Sequence, residues 1–322
     1  MPIAVATPSR LHFGLVRFEQ TEGPSYGGLG MMIEHPRWQL ELGPADVWSI
    51  EGQQSERALE FAQRVLQRIK APGKPPALRI HVHEAIPAHR GFGGGTQLGL
   101  AVASGVRRLL NLPGADAAEL AALAGRGKRS AVGAHGFLHG GLIWERGRQP
   151  GEPLGQLAEH IALPQEWRVV LIDTCHDGGL SGQTELDAFA QLPPVPDRIT
   201  RALIDLAEQT ILPAAERGDL AAFGEGVYHY GRSAGDCFAP VQRGPYASRP
   251  IAECVEFVRR QGVPAVGQSS WGPTVFAITQ DQQQAEQLCE ALASHPSMHA
   301  HSARITLPAN HGATLKHLAP GQ

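Results

Sequence analysis

The sequence has few cysteines, and they lie far apart. Four thiols are spread over 322 residues, at Cys175, Cys237, Cys254 and Cys289. No Cys-x-x-Cys pair occurs, which argues against a thiolate zinc site and against a dithiol redox motif. Free thiols in a reducing compartment are the simplest interpretation, so we expect a cytoplasmic protein.

Long apolar runs and an excess of positive charge are also missing. No segment approaches the length of a membrane span, and the N-terminus lacks the basic and apolar regions of a signal peptide. A net charge of −3 argues against a general nucleic-acid binder, which would carry a basic excess. With 42% hydrophobic and 18% charged residues, the composition is that of an ordinary globular protein, long enough for two domains.

Histidine is abundant, with 15 residues, but no His-Glu-x-x-His motif is present. His135 and His139 have the required spacing, yet Gly136 occupies the position of the glutamate. Glycines at 133, 136, 140 and 141 argue against a continuous helix in this segment. We therefore assign no zinc.

A glycine-rich loop opens directly into an apolar helix in the first third of the chain. Gly93, Gly94 and Gly95 lack the Cβ atoms that would keep an anion away, and they permit positive φ angles. The first N–H groups of a helix have no partner within it, and the helix dipole adds positive charge there. Thr96 adds a hydroxyl that can bind an oxyanion or a metal ion. With the alternating strand Leu78–His83 in front, this order predicts a phosphate site, and a flexible turn is the alternative.

The loop differs from two common nucleotide-binding loops. No Gly-x-Gly-x-x-Gly opens the helix, and no acidic residue follows at the distance that a dinucleotide fold requires. No Gly-Lys-Ser/Thr closes the loop, so it is not a Walker loop either.

Charged residues near glycines form further candidates. Arg10 and His12 lie on one face of a strand, which suits an anionic ligand or a solvated surface. Arg126 and Lys128 belong to a basic glycine-containing run that suits a phosphorylated substrate or a solvated loop. Asp173 ends an apolar strand, where a carboxylate can bind Mg²⁺ or form a turn.

A small-residue turn near the C-terminal end carries two hydroxyls and an indole, from Ser269, Ser270 and Trp271. Taken alone, this segment favours a tight hairpin with Trp271 packed on the core.

Apolar periodicity predicts helices and strands without regular alternation, which indicates an α+β protein. Polar residues with proline and glycine between Gly147 and Pro164 predict domains of residues 1–163 and 164–322. Asp116 and Glu119 resemble a helix-capping pair. The other predicted helices are Ser55–Ile69, Thr200–Arg217, Leu220–His229, Ile251–Gln261 and Asp281–Ser294. The other predicted strands are Ile3–Val16 with a break at Pro8, Arg37–Leu42, Trp167–Asp173, Val275–Thr279 and Arg304–Leu307.

Five segments spread over nearly the whole chain match one family. They are Ser9–Leu15, Gly27–Gly30 with Ile33 and Glu34, Gly91–Ala103, Gly179–Gly182 with Glu185, and Gln268–Thr274. Together they resemble the GHMP small-molecule kinase superfamily, and within it the β-ribofuranosylaminobenzene 5′-phosphate synthase family. Gly-Thr-Gln-Leu in place of the kinases' Gly-Ser-Ser-Ala is the specific discriminator. The resemblance implies a GHMP-kinase-like fold with an N-terminal ribosomal-S5-like domain and a C-terminal ferredoxin-like α/β sandwich.

The resemblance also implies a reaction of the methanopterin pathway. Phosphoribosyl diphosphate reacts with 4-hydroxybenzoate or 4-aminobenzoate and releases carbon dioxide and diphosphate, with Mg²⁺ as cofactor and a homodimer expected by analogy. By motif match, catalytic roles fall to Arg10, His12, Thr96 and Gln97. Substrate and diphosphate binding fall to Gly93, Gly94, Gly95, Arg126, Lys128, Ser181, Ser269, Ser270 and Trp271, and metal binding to Thr96 and Asp173.

Three other functions compete with this one. A GHMP-type kinase would use the loop for ATP, but it is expected to keep a Ser-Ser dipeptide where Thr96 and Gln97 stand. A type I phosphoribosyltransferase needs two adjacent acidic residues, and Thr174 replaces the second after Asp173. A relative that binds ligand without catalysis is disfavoured, because glycines, hydroxyls and cations persist in the loops.

Overall fold

The computed structural model describes residues 1–18, 23–69, 76–174, 192–298 and 301–319. Cys175, Ser181 and the predicted motif around it lie outside the described residues. The described strands are β1 (Ile3–Leu15), β2 (Gly28–Ala45), β3 (Ser49–Gly52), β4 (Ala77–Glu84), β5 (Leu142–Glu145), β6 (Leu157–Ile161), β7 (Arg168–Asp173), β8 (Ala265–Gln268), β9 (Thr274–Thr279), β10 (Ser302–Thr306) and β11 (Thr314–His317). The described helices are α1 (Ser55–Ile69), α2 (Gly94–Leu109), α3 (Ala117–Ala124), α4 (Val132–His139), α5 (Asp197–Leu206), α6 (Leu212–Arg217), α7 (Leu220–Asp236), α8 (Ala239–Gln242), α9 (Arg249–Arg260) and α10 (Gln282–Ser294).

A seven-stranded sheet organises the first half of the chain around the long strand β2. Along one path the order is β11, β1, β2, β4, β3, and β2 also pairs with β5, which pairs with β6. Buried leucine, isoleucine and valine side chains on one face pack against α1 and α2. A Cβ on Gly105 of α2 would lie 2.9 Å from Leu42 of β2, so the helix approaches the sheet closely through a glycine.

A four-stranded antiparallel sheet follows, in the order β10, β7, β9, β8. Its core contains Val170, Ile172 and Val275 from the strands and apolar residues from α9 and α10. The predicted boundary between residues 163 and 164 falls between β6 and β7, and it stays a prediction. After β10 the chain returns to the first sheet, where β11 pairs with β1.

Most predicted elements are confirmed, and several are longer than predicted. The Asp116 carboxylate caps α3 by accepting a hydrogen bond from the N–H of Glu119 at 2.8 Å. The predicted helix Thr200–Arg217 is present as α5 and α6 joined by a π-helical turn, Ala207–Ile211. At Pro8 the strand β1 continues, but its pairing with β2 shifts register between Thr7 and Ser9, because proline supplies no N–H to the ladder. The mixed content confirms an α+β protein.

One prediction about local structure was wrong. Val132–His139 is a continuous helix, α4, despite Gly133 and Gly136 within it. Glycine lowers helix propensity by about 1 kcal/mol per residue, but here close packing favours it, since a Cβ on Gly136 would collide with the Met32 side chain. Among the described residues, no helix is both long and apolar enough to span a bilayer.

Candidate active site

The glycine loop has the conformation of an anion-binding helix N-terminus. Gly93 adopts a left-handed conformation with φ of 66°, and its carbonyl accepts hydrogen bonds from the N–H groups of Thr96 at 2.9 Å and Gln97 at 3.1 Å. The Trp38 indole donates to the carbonyl of Gly94 at 2.9 Å. The loop is therefore fixed against the sheet, with the N-terminus of a 16-residue helix behind it.

Three guanidinium groups surround this loop. A Cβ on Gly95 would lie 3.0 Å from Nη2 of Arg57 and 3.3 Å from Nη2 of Arg126, and a Cβ on Gly93 would lie 2.8 Å from Nε of Arg10. Nε of Arg126 also donates to the Thr96 hydroxyl at 3.4 Å. The helix dipole and these arginines concentrate positive charge at the N-terminal end of α2.

The structure brings the three predicted motifs together. The Ser269 hydroxyl donates to the carbonyl of Gly91 at 2.8 Å and accepts from the N–H of His12 at 3.1 Å. The N–H of Ser270 donates to the carbonyl of His12 at 3.2 Å, and Nη2 of Arg10 donates to the Ser270 hydroxyl at 3.4 Å. Strand β1, the glycine loop and the turn between β8 and β9 therefore form one connected site.

His12 is buried behind this site, with 4% of its surface exposed. Its Nε2 lies 3.0 Å from the Ser130 hydroxyl. Burial lowers the pKa of His12 well below its usual value, and the nearby Arg10 lowers it further. The imidazole is therefore neutral at physiological pH.

Glu145, at the end of β5, is a buried carboxylate that extends this chain of contacts. It accepts hydrogen bonds from the N–H groups of Ala131 at 3.1 Å and Gly147 at 2.9 Å. Burial raises the pKa of Glu145 to about 7, although these N–H groups, the Ser130 hydroxyl and the charge of Arg17 oppose the shift. Buried His12, half-buried Ser130 and buried Glu145 thus form a line of hydrogen-bonding groups that ends at a titratable carboxyl.

Gln97 connects two helices. Its side chain is fully buried, and Nε2 donates to the carbonyl of Gly133 in α4 at 2.8 Å. Its Oε1 is buried and has no hydrogen-bond partner among the described residues. The amide therefore holds α2 against α4 and leaves one acceptor unsatisfied beside Thr96.

The remaining predicted residues lie in different surroundings. The Asp173 carboxylate pairs with Nη1 of Arg90 at 2.9 Å. Trp271 is buried and packs edge-on against Phe238, with ring centroids 5.0 Å apart, as the hairpin interpretation predicted. Lys128 is exposed, and among the described residues its ammonium forms no hydrogen bond or ion pair with the glycine loop.

Sequence reasoning missed Arg57, Ser130 and Glu145. Arg57 lies in the first turn of the amphipathic helix α1, where a charged residue is expected to be solvated. Glu145 ends the apolar run Leu142–Trp144, and a carboxylate there, followed by Gly147, was the available signal.

Comparison with known proteins identifies the family of this architecture. Residues 56–141 match the GHMP kinases N terminal domain, and residues 211–297 match the GHMP kinases C terminal domain. Beta-ribofuranosylphenol 5'-phosphate synthase of Methanothermobacter thermautotrophicus is 29% identical over 301 residues, covering 87% of this chain and 89% of that protein. The protein of the same name from Archaeoglobus fulgidus is 27% identical over 302 residues, covering 86% of this chain and 88% of that protein.

Solved structures agree on the fold. Homoserine kinase from Cytophaga hutchinsonii aligns with a TM-score of 0.67 at 16% identity, covering 98% of this chain and 97% of that one. Phosphomevalonate kinase from Streptococcus pneumoniae aligns with a TM-score of 0.64 at 14% identity, covering 95% and 99%. The expected GHMP-kinase-like fold is confirmed.

Proposed function

The chain belongs to the GHMP kinase superfamily, and from this and its likeness to the two synthases we propose that it is a decarboxylating pentosyltransferase. Its substrates are phosphoribosyl diphosphate and 4-hydroxybenzoate or 4-aminobenzoate. Its product is a β-ribofuranosyl phenol or aniline 5′-phosphate for methanopterin biosynthesis. The observation that carries the proposal is the glycine loop, enclosed by guanidinium groups and connected to both flanking motifs.

In this reaction C1 of the ribose exchanges its bond to diphosphate for a bond to the aromatic ring, and the aromatic carbon loses its carboxylate. The C1–oxygen bond of the ribose breaks and its electron pair leaves with diphosphate, which gives C1 oxocarbenium character. The ring carbon that bears the carboxylate attacks C1, and the carbon–carboxylate bond then breaks. Its electron pair restores the aromatic ring as carbon dioxide leaves. These steps depend more on stabilising the departing diphosphate than on a strong base.

The glycine loop is suited to holding that diphosphate. In our proposal the backbone N–H groups of Gly93, Gly94 and Gly95 bind phosphate oxygens at the helix N-terminus, because the N–H of Thr96 already donates to the carbonyl of Gly93. Arg10, Arg57 and Arg126 contribute charge-assisted hydrogen bonds as negative charge builds on the leaving group. Ser269, Ser270 and Trp271 close the site from the second sheet.

The buried groups position the site. His12 holds the turn of Ser269 and Ser270 through its backbone, and Ser130 fixes its imidazole. Glu145 in turn holds the end of the basic loop that carries Arg126, through the N–H of Ala131. We assign Gln97 a role in orienting the substrate, because its side chain fixes α2 against α4.

Magnesium fits this site mainly as an ion that the substrate phosphates coordinate. Mg²⁺ usually binds one or two protein oxygens together with substrate phosphates. The Thr96 hydroxyl lies at the loop and would hold the ion, whereas Asp173 would first have to leave Arg90. When bound, Mg²⁺ would neutralise charge on the diphosphate.

The test is product analysis with both donors in parallel. The purified chain is incubated with Mg²⁺ and 4-hydroxybenzoate, together with phosphoribosyl diphosphate or ATP, and products are identified by mass. A ribosylated phenol phosphate formed only with phosphoribosyl diphosphate supports the proposal. A phosphorylated acceptor formed with ATP would instead identify a kinase.

The homodimer and the cytoplasmic location stay predictions. Sedimentation of the purified chain and fractionation of the source cells would test them.

A further inference from the structure

A separate cluster of ligand-type side chains lies on the outer face of the first sheet. Along β4 the buried residues Ile80 and Val82 face the core, so His81 and His83 lie on the opposite face. Glu41 of β2 is the register partner of His81. Because α2 packs on the core face, the cluster is separated from the glycine loop by the sheet.

The three side chains converge closely. Oε1 of Glu41 lies 2.9 Å from Nε2 of His83, and the two imidazole rings have centroids 3.9 Å apart. One potential ligand atom from each residue lies within 4.8 Å of the other two. Strand geometry supplies this arrangement without a loop, since residues i and i+2 share a face and the register partner lies beside them.

An exposed ion pair accounts for only part of this cluster. Glu41 and His83 lie at ion-pair distance, but within the described ranges neither ring nitrogen of His81 has a hydrogen-bond partner. Two imidazoles, tilted by 40° to each other, and a carboxylate bring three potential ligand atoms within 4.8 Å of one another. A cation held by all three residues would use His81 as well as the pair of Glu41 and His83.

We propose that Glu41, His81 and His83 bind a divalent transition-metal ion of the Zn²⁺ type. Two imidazoles and one carboxylate suit Zn²⁺, Ni²⁺ or Cu²⁺, whereas Mg²⁺ prefers oxygen ligands. Three protein ligands leave a coordination position for water. Glu51 of β3 is the parallel register partner of His81 on the other side and adds negative charge to the same row.

The test uses Zn²⁺ alone with the full, metal-stripped chain, measured by calorimetric titration. The variants are His81→Ala, His83→Ala and Glu41→Gln, and the matched control is His229→Ala, which removes an exposed histidine paired with Glu225. Circular dichroism checks that each variant is folded. We expect one saturable equivalent of Zn²⁺ in the wild-type chain and in the control, and loss of this saturable step in the three variants.

A spectroscopic measurement tests the ligand set independently of affinity. Cu²⁺ bound to the wild-type chain should show nitrogen hyperfine coupling by electron paramagnetic resonance, weakened in His81→Ala and His83→Ala. The inference is overturned if Zn²⁺ binds equally to all variants, or if no saturable binding occurs. Neither the Zn²⁺ titration nor the Cu²⁺ spectrum requires enzymatic activity, so failure of this inference and failure of the proposed function are distinguishable.

Discussion

At the scale of single residues, the charge around the glycine loop is supplied by side chains that are distant in sequence. Arg10, Arg57 and Arg126 come from β1, α1 and the loop after α3. The motifs predicted Arg10 and Arg126, because both lie beside glycines or in the strand motif. Arg57 could not be predicted, since only the packing of α1 beside α2 brings it to Gly95.

Replacing Arg57 with alanine should weaken binding of phosphoribosyl diphosphate. A hydrogen bond to a charged group contributes roughly 1.5–3 kcal/mol, so we expect KM for this substrate to rise about tenfold or more. KM for the benzoate should change little. Arg249→Ala, which removes an exposed arginine paired with Glu253, is the matched control. Equal kinetics of Arg57→Ala and wild type would show that Arg57 does not bind phosphoribosyl diphosphate.

Glu145 should make stability depend on pH. Its pKa is raised from 4.5 to about 7 in the folded chain, so the folded state binds the proton more tightly than the unfolded state. The stabilisation that the folded chain gains from protonated Glu145 is complete below pH 4.5 and is lost as pH rises through about 7. The free energy of unfolding of wild type, relative to Glu145→Gln, should fall by up to about 3 kcal/mol over this range.

Denaturant titrations at several pH values measure this difference. Glu253→Gln, which removes an exposed carboxylate, serves as the control for loss of a surface charge. A flat difference for Glu145→Gln would mean that the buried carboxyl does not titrate in this range.

At the scale of elements, local patterns predicted most helices and strands but not how they pack. The strand, glycine loop and helix of the candidate site were predicted because their periodicity and glycines are local signals. Helix α4 was missed because Gly136 lowers propensity, while its contact with Met32 is visible only in the fold. The cluster of Glu41, His81 and His83 could not be predicted for a similar reason: its residues meet across two strands, and no spacing along the sequence indicates that register.

Gly95→Ala should separate stability from activity. Alanine in α2 favours the helix by up to about 1 kcal/mol, and the added Cβ meets only the mobile ends of Arg57 and Arg126. The unfolding free energy should therefore stay level or rise, while KM for phosphoribosyl diphosphate increases as those guanidinium groups are displaced. Gly114→Ala, where a Cβ meets nothing within 4 Å, is the control. Unchanged KM in Gly95→Ala would argue against diphosphate at this loop.

At the scale of the whole molecule, the site depends on contact between the two sheets. The turn between β8 and β9 reaches the glycine loop and β1 through Ser269, which is fully buried. The sequence predicted that these segments belong to one site only through the family resemblance, because nothing local indicates that residues 12, 91 and 269 meet.

Ser269→Ala should therefore weaken both stability and turnover. The substitution leaves the buried N–H of His12 unsatisfied, which costs about 1–3 kcal/mol. Thermal unfolding and kcat measure the two effects, and Ser294→Ala, an exposed hydroxyl on α10, is the control. If Ser269→Ala behaves like this control, the two sheets are not coupled through this hydroxyl.

The most direct measurement of the proposed function is carbon dioxide release from carboxyl-labelled 4-hydroxybenzoate, with 4-aminobenzoate in parallel. We predict release that requires both phosphoribosyl diphosphate and the enzyme, and that falls in Arg57→Ala but not in Arg249→Ala. No release from either acid by a folded sample would contradict the proposed pentosyl transfer.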